Sequence, residues 1–282
     1  MTSPSLAQIV GRLRALPSLP TVVIELLQTM GEEDIDIDRL ARGIGHDQAL
    51  AARTLRVANS PFYGVQGKIG TIAEAITVLG FVNVRSLVTT AGIATAWPAS
   101  ASTGFEAKIF WRHCLGVASS AEALARHARL RPETLFLAGL LHDIGRLVLV
   151  ATHAEAFAET LQRRMLDDSS LVEAERAVLG FDHAQIGGEL CRHWRIPEAI
   201  ADAVERHHRV NPEAAGTPAD MADVVHVADV IAYALDLAED EAAMVPVPDA
   251  AAWQRLDMDE ESLRTVLQRA EHQFNGFANI LG

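Results

Sequence analysis

The sequence predicts an all-α fold, and three observations support this prediction. Hydrophobic residues make up 49% of the 282 residues but aromatic residues only 5%. Ala, Leu and Val therefore dominate the apolar set, and this composition favours helices over a β-sandwich. Apolar residues also recur at helical spacing through most of the chain, with no credible run of five strand-forming residues between them.

Proline and glycine delimit the first predicted helices. Leu6–Leu16 has helical spacing, and Pro17 and Pro20 then interrupt it because proline fixes φ and restrains the residue before it. A second helix begins near Thr21 and ends at Gly31, which is a suitable C-terminal cap.

Polar side chains predict where the next helices begin. Asp36 or Asp38 can cap the third helix, and Asp47 can cap the fourth. Thr71 begins a further helix, and Glu74, three residues later, completes a capping box. Gly80 ends that helix, and the segment FVNVRSLVTTAGIATAW forms the next one.

A small, polar and uncharged segment, Pro98–Gly104, is the best linker in the chain. We therefore expect a first lobe over residues 1–100 and a second lobe over residues 104–240. Residues 241–282, called the C-terminal extension below, follow the second lobe. Within the extension, Asp259–Leu281 has amphipathic helical spacing.

The second lobe is also predicted to be helical. Phe105–Leu130 forms one long helix, and Pro132 begins a second helix that is expected to continue to about His153. The further predicted helices are Ala154–Leu166, Leu171–Leu179, one capped by Asp182, one begun by Pro197, and Met221–Leu237.

The net charge and the lack of sorting signals limit the functional classes to which the protein can belong. The net charge is −13, so direct binding to nucleic acid or to an anionic membrane is not expected. Cys114 and Cys191 are far apart and are interpreted as core residues. We expect a cytoplasmic protein, because the N-terminus lacks the pattern of a signal peptide and no 18 consecutive residues are apolar.

The segment Leu135–Val150, LFLAGLLHDIGRLVLV, is apolar almost throughout but carries His142 and Asp143 at its centre. Chargeable groups in a buried segment cost several kcal/mol unless they are paired. A metal ion is the simplest partner for such a pair. Because adjacent residues of a helix point about 100° apart, the two side chains can hold an ion between them.

Other metal-competent side chains lie on the apolar helices of the second lobe. Imidazole and carboxylate groups together suit iron, manganese, zinc or nickel, and the lack of a cysteine partner argues against a structural zinc knot. Seven such residues are enough for one or two divalent ions. The candidate ligands are His113, His142, Asp143, His183, His207, His208 and Asp229.

Each candidate also has a structural interpretation. His183 can be a solvated residue of a first turn, and His207 with His208 can be cations that interact with the end of a helix. His113 and Asp229 can be hydrogen-bonded core residues. The other histidines are interpreted as surface or core residues; they are His46, His127, His153, His193, His226 and His272.

A series of motifs resembles the HDOD (HD-related output) domain of bacterial signalling proteins, which is related to the HD and HD-GYP metal-dependent phosphohydrolases. The resemblance covers roughly Leu6 to Leu237, and the joint match is far more specific than HDIG alone. In order, the motifs are LPSLP, LARGIGHDQALAARTLRVANSPFYG, IGTIAEAITVLGFVNVRSLV, FWRHCLGVA, LFLAGLLHDIGRLVL, GFDHAQIGGELCRHWRIPEAIADAVERHH and VVHVADVIAYAL.

The resemblance implies two helical lobes, of which the second is an HD-domain-like bundle, and a regulatory role in signal transduction. It also implies roles for the candidate ligands. By motif, His113, His142, Asp143 and Asp229 correspond to the core HD ligands, whereas His183, His207 and His208 resemble the extra ligands of HD-GYP cyclic-di-GMP phosphodiesterases.

Two departures from the phosphodiesterase pattern affect the expected activity. Arg146 replaces the lysine that follows HDIG; it can still bind phosphate through two donors, so Arg146 is a candidate cofactor-binding residue. The GYP signature is missing after His207-His208, where the chain continues as RVNPEAAG.

We therefore expect a non-catalytic output module that acts through a signalling protein partner or through a bound ligand such as a nucleotide or cyclic dinucleotide. No catalytic residue is assigned. One alternative is a metal-dependent phosphohydrolase acting on such a nucleotide, because the ligand set is complete and a two-metal site can activate water. The other alternative is a helical interaction protein without any ligand.

Overall fold

Helices account for all regular secondary structure in the part of the chain that the computed structural model describes, which is residues 5–13, 16, 19–28, 36–65, 68–96, 104–210, 217–240 and 244–278. The predicted all-α fold class is confirmed. Several predicted breaks fall wholly or largely outside these residues, namely Pro17, Gly31, the linker Pro98–Gly104 and the loop Pro212–Pro218.

The helices follow one another with short connections. Those of the predicted first lobe are α1 (Leu6–Arg12), α2 (Thr21–Gln28), α3 (Ile37–His46), α4 (Gln48–Ala58), the short 3₁₀ helix Pro61–Tyr63, α5 (Ile72–Leu79) and α6 (Phe81–Ala96). Those of the second lobe are α7 (Ala107–Ala128), α8 (Pro132–Leu141), α9 (Ile144–Thr152), α10 (Ala154–Asp167), α11 (Leu171–Leu179), α12 (His183–His193), α13 (Glu198–Arg206) and α14 (Met221–Ala234). The C-terminal extension contributes α15 (Ala250–Arg255) and α16 (Glu260–Phe277).

The predicted capping residues begin the helices as expected. Asp36 caps α3, and the Asp47 carboxylate accepts two backbone N–H groups at the start of α4. Thr71 with Glu74 forms the capping box of α5, and Asp182 begins α12 with a further capping box. These side chains satisfy N–H groups that have no partner inside their helix.

The single helix expected from Pro132 to His153 is wrong, because α8 ends at Leu141 and α9 begins only at Ile144. His142 and Asp143 lie in the break. The ring Nδ1 of His142 donates a hydrogen bond of 2.7 Å to the carbonyl oxygen of Gly139, the acceptor that residue 143 would use in a continuous helix. The pair therefore lies between two helices and not on the face of one.

Glycines allow the helices around this break to approach closely. A Cβ atom on Gly139 of α8 would lie 2.8 Å from the Cα of Ala118 in α7. A Cβ atom on Gly145 of α9 would lie only 2.0 Å from the carbonyl oxygen of His183, at the start of α12. Real Cβ atoms do not come this close to backbone atoms, so the sequence needs glycine at both contacts. The first residues of α9 and α12 are thereby held side by side.

The two predicted lobes are in contact. Helix α1, although it lies in the first lobe, packs against α9 and α12 of the second lobe, and α6 packs against α8. Arg12 Nη1 donates a hydrogen bond of 3.1 Å to the carbonyl oxygen of Thr152, at the end of α9. Buried residues of both lobes form one hydrophobic cluster. The boundary at residues 98–104 stays a prediction.

Within the described residues, one segment, Pro132–Thr152, is long and apolar enough to cross a membrane by its length and composition. It contains α8, the break and α9, and 83% of its most apolar window is buried inside the protein. Such burial is the property of a core segment, since the apolar surface already contacts other helices.

The C-terminal extension packs on both lobes. Helix α16 lies along α7 and also contacts the 3₁₀ helix of the first lobe. The Phe277 ring lies 5.5 Å from that of Phe136 in α8, and a Cβ atom on Gly276 would contact the ring of Phe62. The extension is therefore part of the same packed structure.

A partly buried carboxylate at this interface makes stability depend on pH. Burial raises the pKa of Glu122, on α7, from 4.5 to about 7, while Gln273 of α16 hydrogen-bonds to it. Because the folded protein holds this proton more tightly than the unfolded chain does, the free energy of unfolding falls as the pH rises from 4.5 to 7.

Glu122→Gln is expected to remove this pH-dependent loss in the free energy of unfolding. At pH 8 the variant should exceed the wild type in free energy of unfolding by about 1–3 kcal/mol, whereas at pH 5 the difference should be much smaller. Urea unfolding at the two pH values measures both differences. An equal difference at pH 5 and pH 8 would contradict the prediction.

Candidate metal centre

Five parts of the second lobe bring the candidate ligands to one place. They are α7 with His113, the break between α8 and α9 with His142 and Asp143, the first residue of α12 with His183, the end of α13 with His207 and His208, and α14 with Asp229. The seven residues lie in two adjacent groups, and the ligand atoms within each group lie within 4.8 Å of one another.

The first group consists of His113, His142 and Asp229. His113 Nε2 lies 3.1 Å from Asp229 Oδ1 and 3.2 Å from His142 Nε2. The distance from His142 Nε2 to Asp229 Oδ1 is 3.9 Å. Ligand atoms of a tetrahedral site with bonds of about 2.0–2.1 Å lie about 3.3 Å apart, so the group can surround one ion.

The second group consists of Asp143, His183, His207 and His208. Asp143 Oδ1 lies 2.8 Å from His183 Nε2 and 3.9 Å from His207 Nε2. His208 Nε2 lies 3.1 Å from His183 Nε2. Three ring nitrogens and one carboxylate oxygen of this group thus lie within 4.8 Å of one another.

Asp143 lies between the two groups. Its Oδ1 atom is 3.5 Å from His142 Nε2, and its Oδ2 atom is 3.9 Å from His113 Nε2. A carboxylate in this position can bind an ion of either group or bridge two ions.

The hydrogen bonds of the ring Nδ1 atoms orient the histidines for metal binding. His142 and His207 donate from Nδ1 to the carbonyl oxygens of Gly139 and Val204, each at 2.7 Å. Their Nε2 atoms therefore carry a lone pair that points into the centre. His207 Nε2 is buried and makes no hydrogen bond with any described residue. An ion would supply the missing partner, so the side chains present fit a metal.

The surrounding residues alone hold two of these side chains, Asp143 and His207, in the protonation state that can bind a metal ion. Burial opposes the charge on Asp143, but His142, Arg146 and His183 outweigh it and hold the carboxyl pKa well below its ordinary value. Burial, followed by the nearby charge of His142, lowers the pKa of His207 to about 3. Asp143 is therefore ionised and His207 is neutral at neutral pH.

His183 differs because a carboxylate lies at each of its ring nitrogens. Burial lowers its pKa, but Glu175 and Asp143 outweigh this effect and raise the pKa to about 10. Without an ion, His183 is therefore protonated and lies between two carboxylates. A cation bound at Nε2 would replace that proton.

Glu175 of α11 is a functional residue that the sequence analysis missed. Its Oε2 atom accepts hydrogen bonds from His183 Nδ1 at 2.6 Å and from the His183 backbone N–H at 2.8 Å. The side chain is fully buried. A carboxylate behind a ligating histidine fixes the ring and makes its other nitrogen a better ligand. Periodicity offered one signal, because Glu175 lies four residues from both Leu171 and Leu179 on the apolar side of its helix.

Arg146, the predicted cofactor-binding residue, interacts with the centre itself. Its Nη1 atom lies 2.6 Å from Asp143 Oδ2, and its guanidinium lies 5.5 Å from the centre of the Phe110 ring. The guanidinium therefore neutralises a candidate ligand. Binding of phosphate by Arg146 stays a prediction.

The centre is almost closed to solvent. Six of the seven candidate ligands are 5% exposed or less, and His208 is partly exposed. Water or a small ligand thus approaches most directly from the side of His208.

Comparisons with known protein families and solved structures show which proteins this chain is similar to. A profile of the HDOD domain family matches residues 16–210, which is more than half of the chain. The match contains six of the seven candidate ligands, and Asp229 lies beyond its end.

Two solved structures share the architecture. A candidate phosphohydrolase from Shewanella amazonensis SB2B is 26% identical, covers 99% of both chains and superposes with a TM-score of 0.75. The MmoQ response regulator from Methylococcus capsulatus is 25% identical, with 94% of this chain and 98% of that chain covered and a TM-score of 0.50.

A longer curated relative also matches. It is an uncharacterized protein of Treponema pallidum, 24% identical over 284 residues and 97% of this chain. The chain spans about half, 52%, of the length of that relative.

Proposed function

The chain belongs to the HDOD domain family, and on this premise we propose that it is a bacterial signalling output module whose buried centre holds a divalent metal ion without catalysing hydrolysis. The ion is iron, manganese, zinc or nickel, because these metals accept mixed imidazole and carboxylate ligands. The module acts through a signalling protein partner, and a response regulator is among its structural relatives.

The closed geometry of the centre is the observation that carries the non-catalytic assignment. A phosphodiester can be hydrolysed at a metal only if it reaches an open coordination position. Here six candidate ligands are 5% exposed or less, and Arg146 is paired with Asp143. The centre therefore suits an ion that links three separate parts of the fold more than one that receives a substrate.

The charges of the centre support a single ion. Once an ion has replaced the proton of His183, the carboxylates of Asp143, Glu175 and Asp229 together with the guanidinium of Arg146 leave two negative charges in a buried volume. One divalent cation balances them. A second cation would leave excess positive charge, which costs free energy in a buried site unless an anion accompanies it.

A metal-dependent phosphohydrolase acting on a nucleotide or cyclic dinucleotide is the second candidate function. The two adjacent ligand groups, with the Asp143 carboxylate within 4 Å of both, favour it, as does the resemblance to a candidate phosphohydrolase. Two bound ions would supply an activated water and a clamp for the phosphate. His208, the most exposed candidate ligand, marks the side at which such a substrate would enter.

Metal content and turnover, measured on one preparation, test both functions. We expect purified wild-type protein to bind manganese or iron and to show no turnover of bis-p-nitrophenyl phosphate or cyclic-di-GMP. Asp143→Ala should lower the metal affinity at least tenfold, since it removes the carboxylate that lies between the two groups. Mass spectrometry of the metals and circular dichroism of the fold provide the readouts.

Asp202→Ala is the matched control, because this carboxylate is half-exposed on α13 and pairs with Arg192, away from the centre. It should bind metal as the wild type does. Metal-dependent turnover that Asp143→Ala abolishes would establish the phosphohydrolase. Absence of metal in every preparation would refute the metal centre itself.

A further inference from the structure

His226 of α14 bridges the candidate metal centre and the C-terminal extension. Its Nδ1 atom lies 3.0 Å from the carbonyl oxygen of His207, and its Nε2 atom accepts a hydrogen bond of 3.0 Å from the backbone N–H of Asp249. One side chain therefore contacts a candidate ligand and the residue that begins α15.

These two bonds use both ring nitrogens of His226 and fix its tautomer. Since Nε2 accepts from a backbone N–H, the proton must be on Nδ1, which donates to the carbonyl of His207. Neither nitrogen is left to bind metal. Asp249 in turn caps α15 by accepting from the N–H groups of Ala251 and Ala252. The position of the His207 backbone and the start of α15 are thus set by the same ring.

Two further contacts hold the extension close to the ligands. Arg255 of α15 donates a hydrogen bond of 2.8 Å to Asp223 of α14. The guanidinium of Arg112, the neighbour of His113, lies 5.2 Å from the ring centre of Phe274 in α16. The extension therefore contacts Arg112, the residue before His113 on α7, and Asp223, one turn before His226 on α14.

We propose that His226 is a positioning residue through which metal occupancy of the centre and docking of α15 stabilise each other. The inference rests on the proposed metal centre. An ion on His207 Nε2 orders this residue and its carbonyl group, which presents a fixed acceptor to His226. A docked α15 holds the His226 ring in the orientation that keeps residue 207 in place. Such coupling is reciprocal by thermodynamic necessity.

Amide hydrogen exchange of the full chain, with and without saturating manganese, measures this coupling. In the wild type we expect manganese to slow exchange in Ala250–Arg255 at least about fivefold. His226→Leu introduces an apolar side chain of similar size and removes both hydrogen bonds. It should weaken manganese binding about 10- to 100-fold, and saturating manganese should no longer slow exchange in α15.

Two variants make the result specific. His272→Leu is the same substitution on α16, where the exposed ring contacts Phe62 and not the centre, and it should behave as the wild type. His226→Gln keeps one donor and one acceptor and should restore part of the manganese response. It also provides the decisive comparison if circular dichroism shows that His226→Leu does not fold.

The outcomes separate this inference from the proposed function. If the wild type binds manganese but exchange in α15 does not respond, or if the folded His226 variants respond as the wild type does, the coupling is wrong and the metal centre stands. If the wild type binds no manganese and no other of the four metals, both the centre and the coupling are refuted.

Discussion

Replacing Gly145 by alanine is expected to lower the free energy of unfolding by about 3 kcal/mol or more and to abolish metal binding. The added Cβ atom would lie 2.0 Å from the carbonyl oxygen of His183 and 2.8 Å from the backbone nitrogen of Gly187. Both neighbours are backbone atoms of α12, so no side-chain rotation can relieve the clash. Helices α9 and α12 must move apart, which separates Asp143 from His183.

Urea unfolding and metal analysis of the purified variant provide the measurement. Gly45→Ala is the matched control, because a Cβ atom on this exposed residue of α3 meets no atom of the described residues within 4 Å. It should stabilise the protein by up to about 1 kcal/mol, as alanine does for glycine within a helix. A Gly145→Ala protein within about 0.5 kcal/mol of the wild type would show that α9 and α12 are not packed as closely as described.

Glu175→Gln is expected to have the second largest effect, a loss of about 10- to 100-fold in metal affinity. The amide keeps the size of the side chain and an acceptor oxygen, but it carries no charge to increase the basicity of His183. In the metal-free protein the protonated His183 loses one of its two carboxylate partners. We expect this loss to lower the free energy of unfolding by about 3 kcal/mol, since it leaves a buried charge partly uncompensated.

Calorimetric titration with manganese and urea unfolding in the presence of a chelator measure the two effects separately. Glu173→Gln is the matched control on the same helix: Glu173 is exposed and completes the capping box with Ser170, where glutamine serves equally. Its metal affinity should equal that of the wild type. If both glutamine variants bind metal equally well, Glu175 does not support His183.

Local signals made the helices predictable. The capping residues Asp47, Thr71 and Asp182 act within a few residues of their own position, so the sequence alone is enough to place them. The break at His142 was not predicted, because it depends on the ring taking the Gly139 carbonyl in competition with the backbone. Hydrophobic periodicity continues through the break and so predicts one helix.

The candidate ligands were predictable because a histidine or an acid is conspicuous on an apolar helix. The residues that position these ligands were not predicted. Glu175 was missed although it lies on the apolar side of its helix, and His226 was interpreted as a surface or core residue. What gives each a role is a contact with an element distant in the chain, to His183 for Glu175 and to Asp249 for His226. The spacing of residues along one helix does not indicate such contacts.

Four helix ends meet at the centre, and two of them exist because the chain breaks at His142 and Asp143. Helices α8 and α13 end there, with partly negative carbonyl groups, whereas α9 and α12 begin there, with partly positive N–H groups. Each end corresponds to about half an elementary charge, so the two pairs of helix dipoles nearly cancel. The field acting on a bound cation is therefore set by the side chains, and substitution of a single charged residue changes that field without compensation from the backbone.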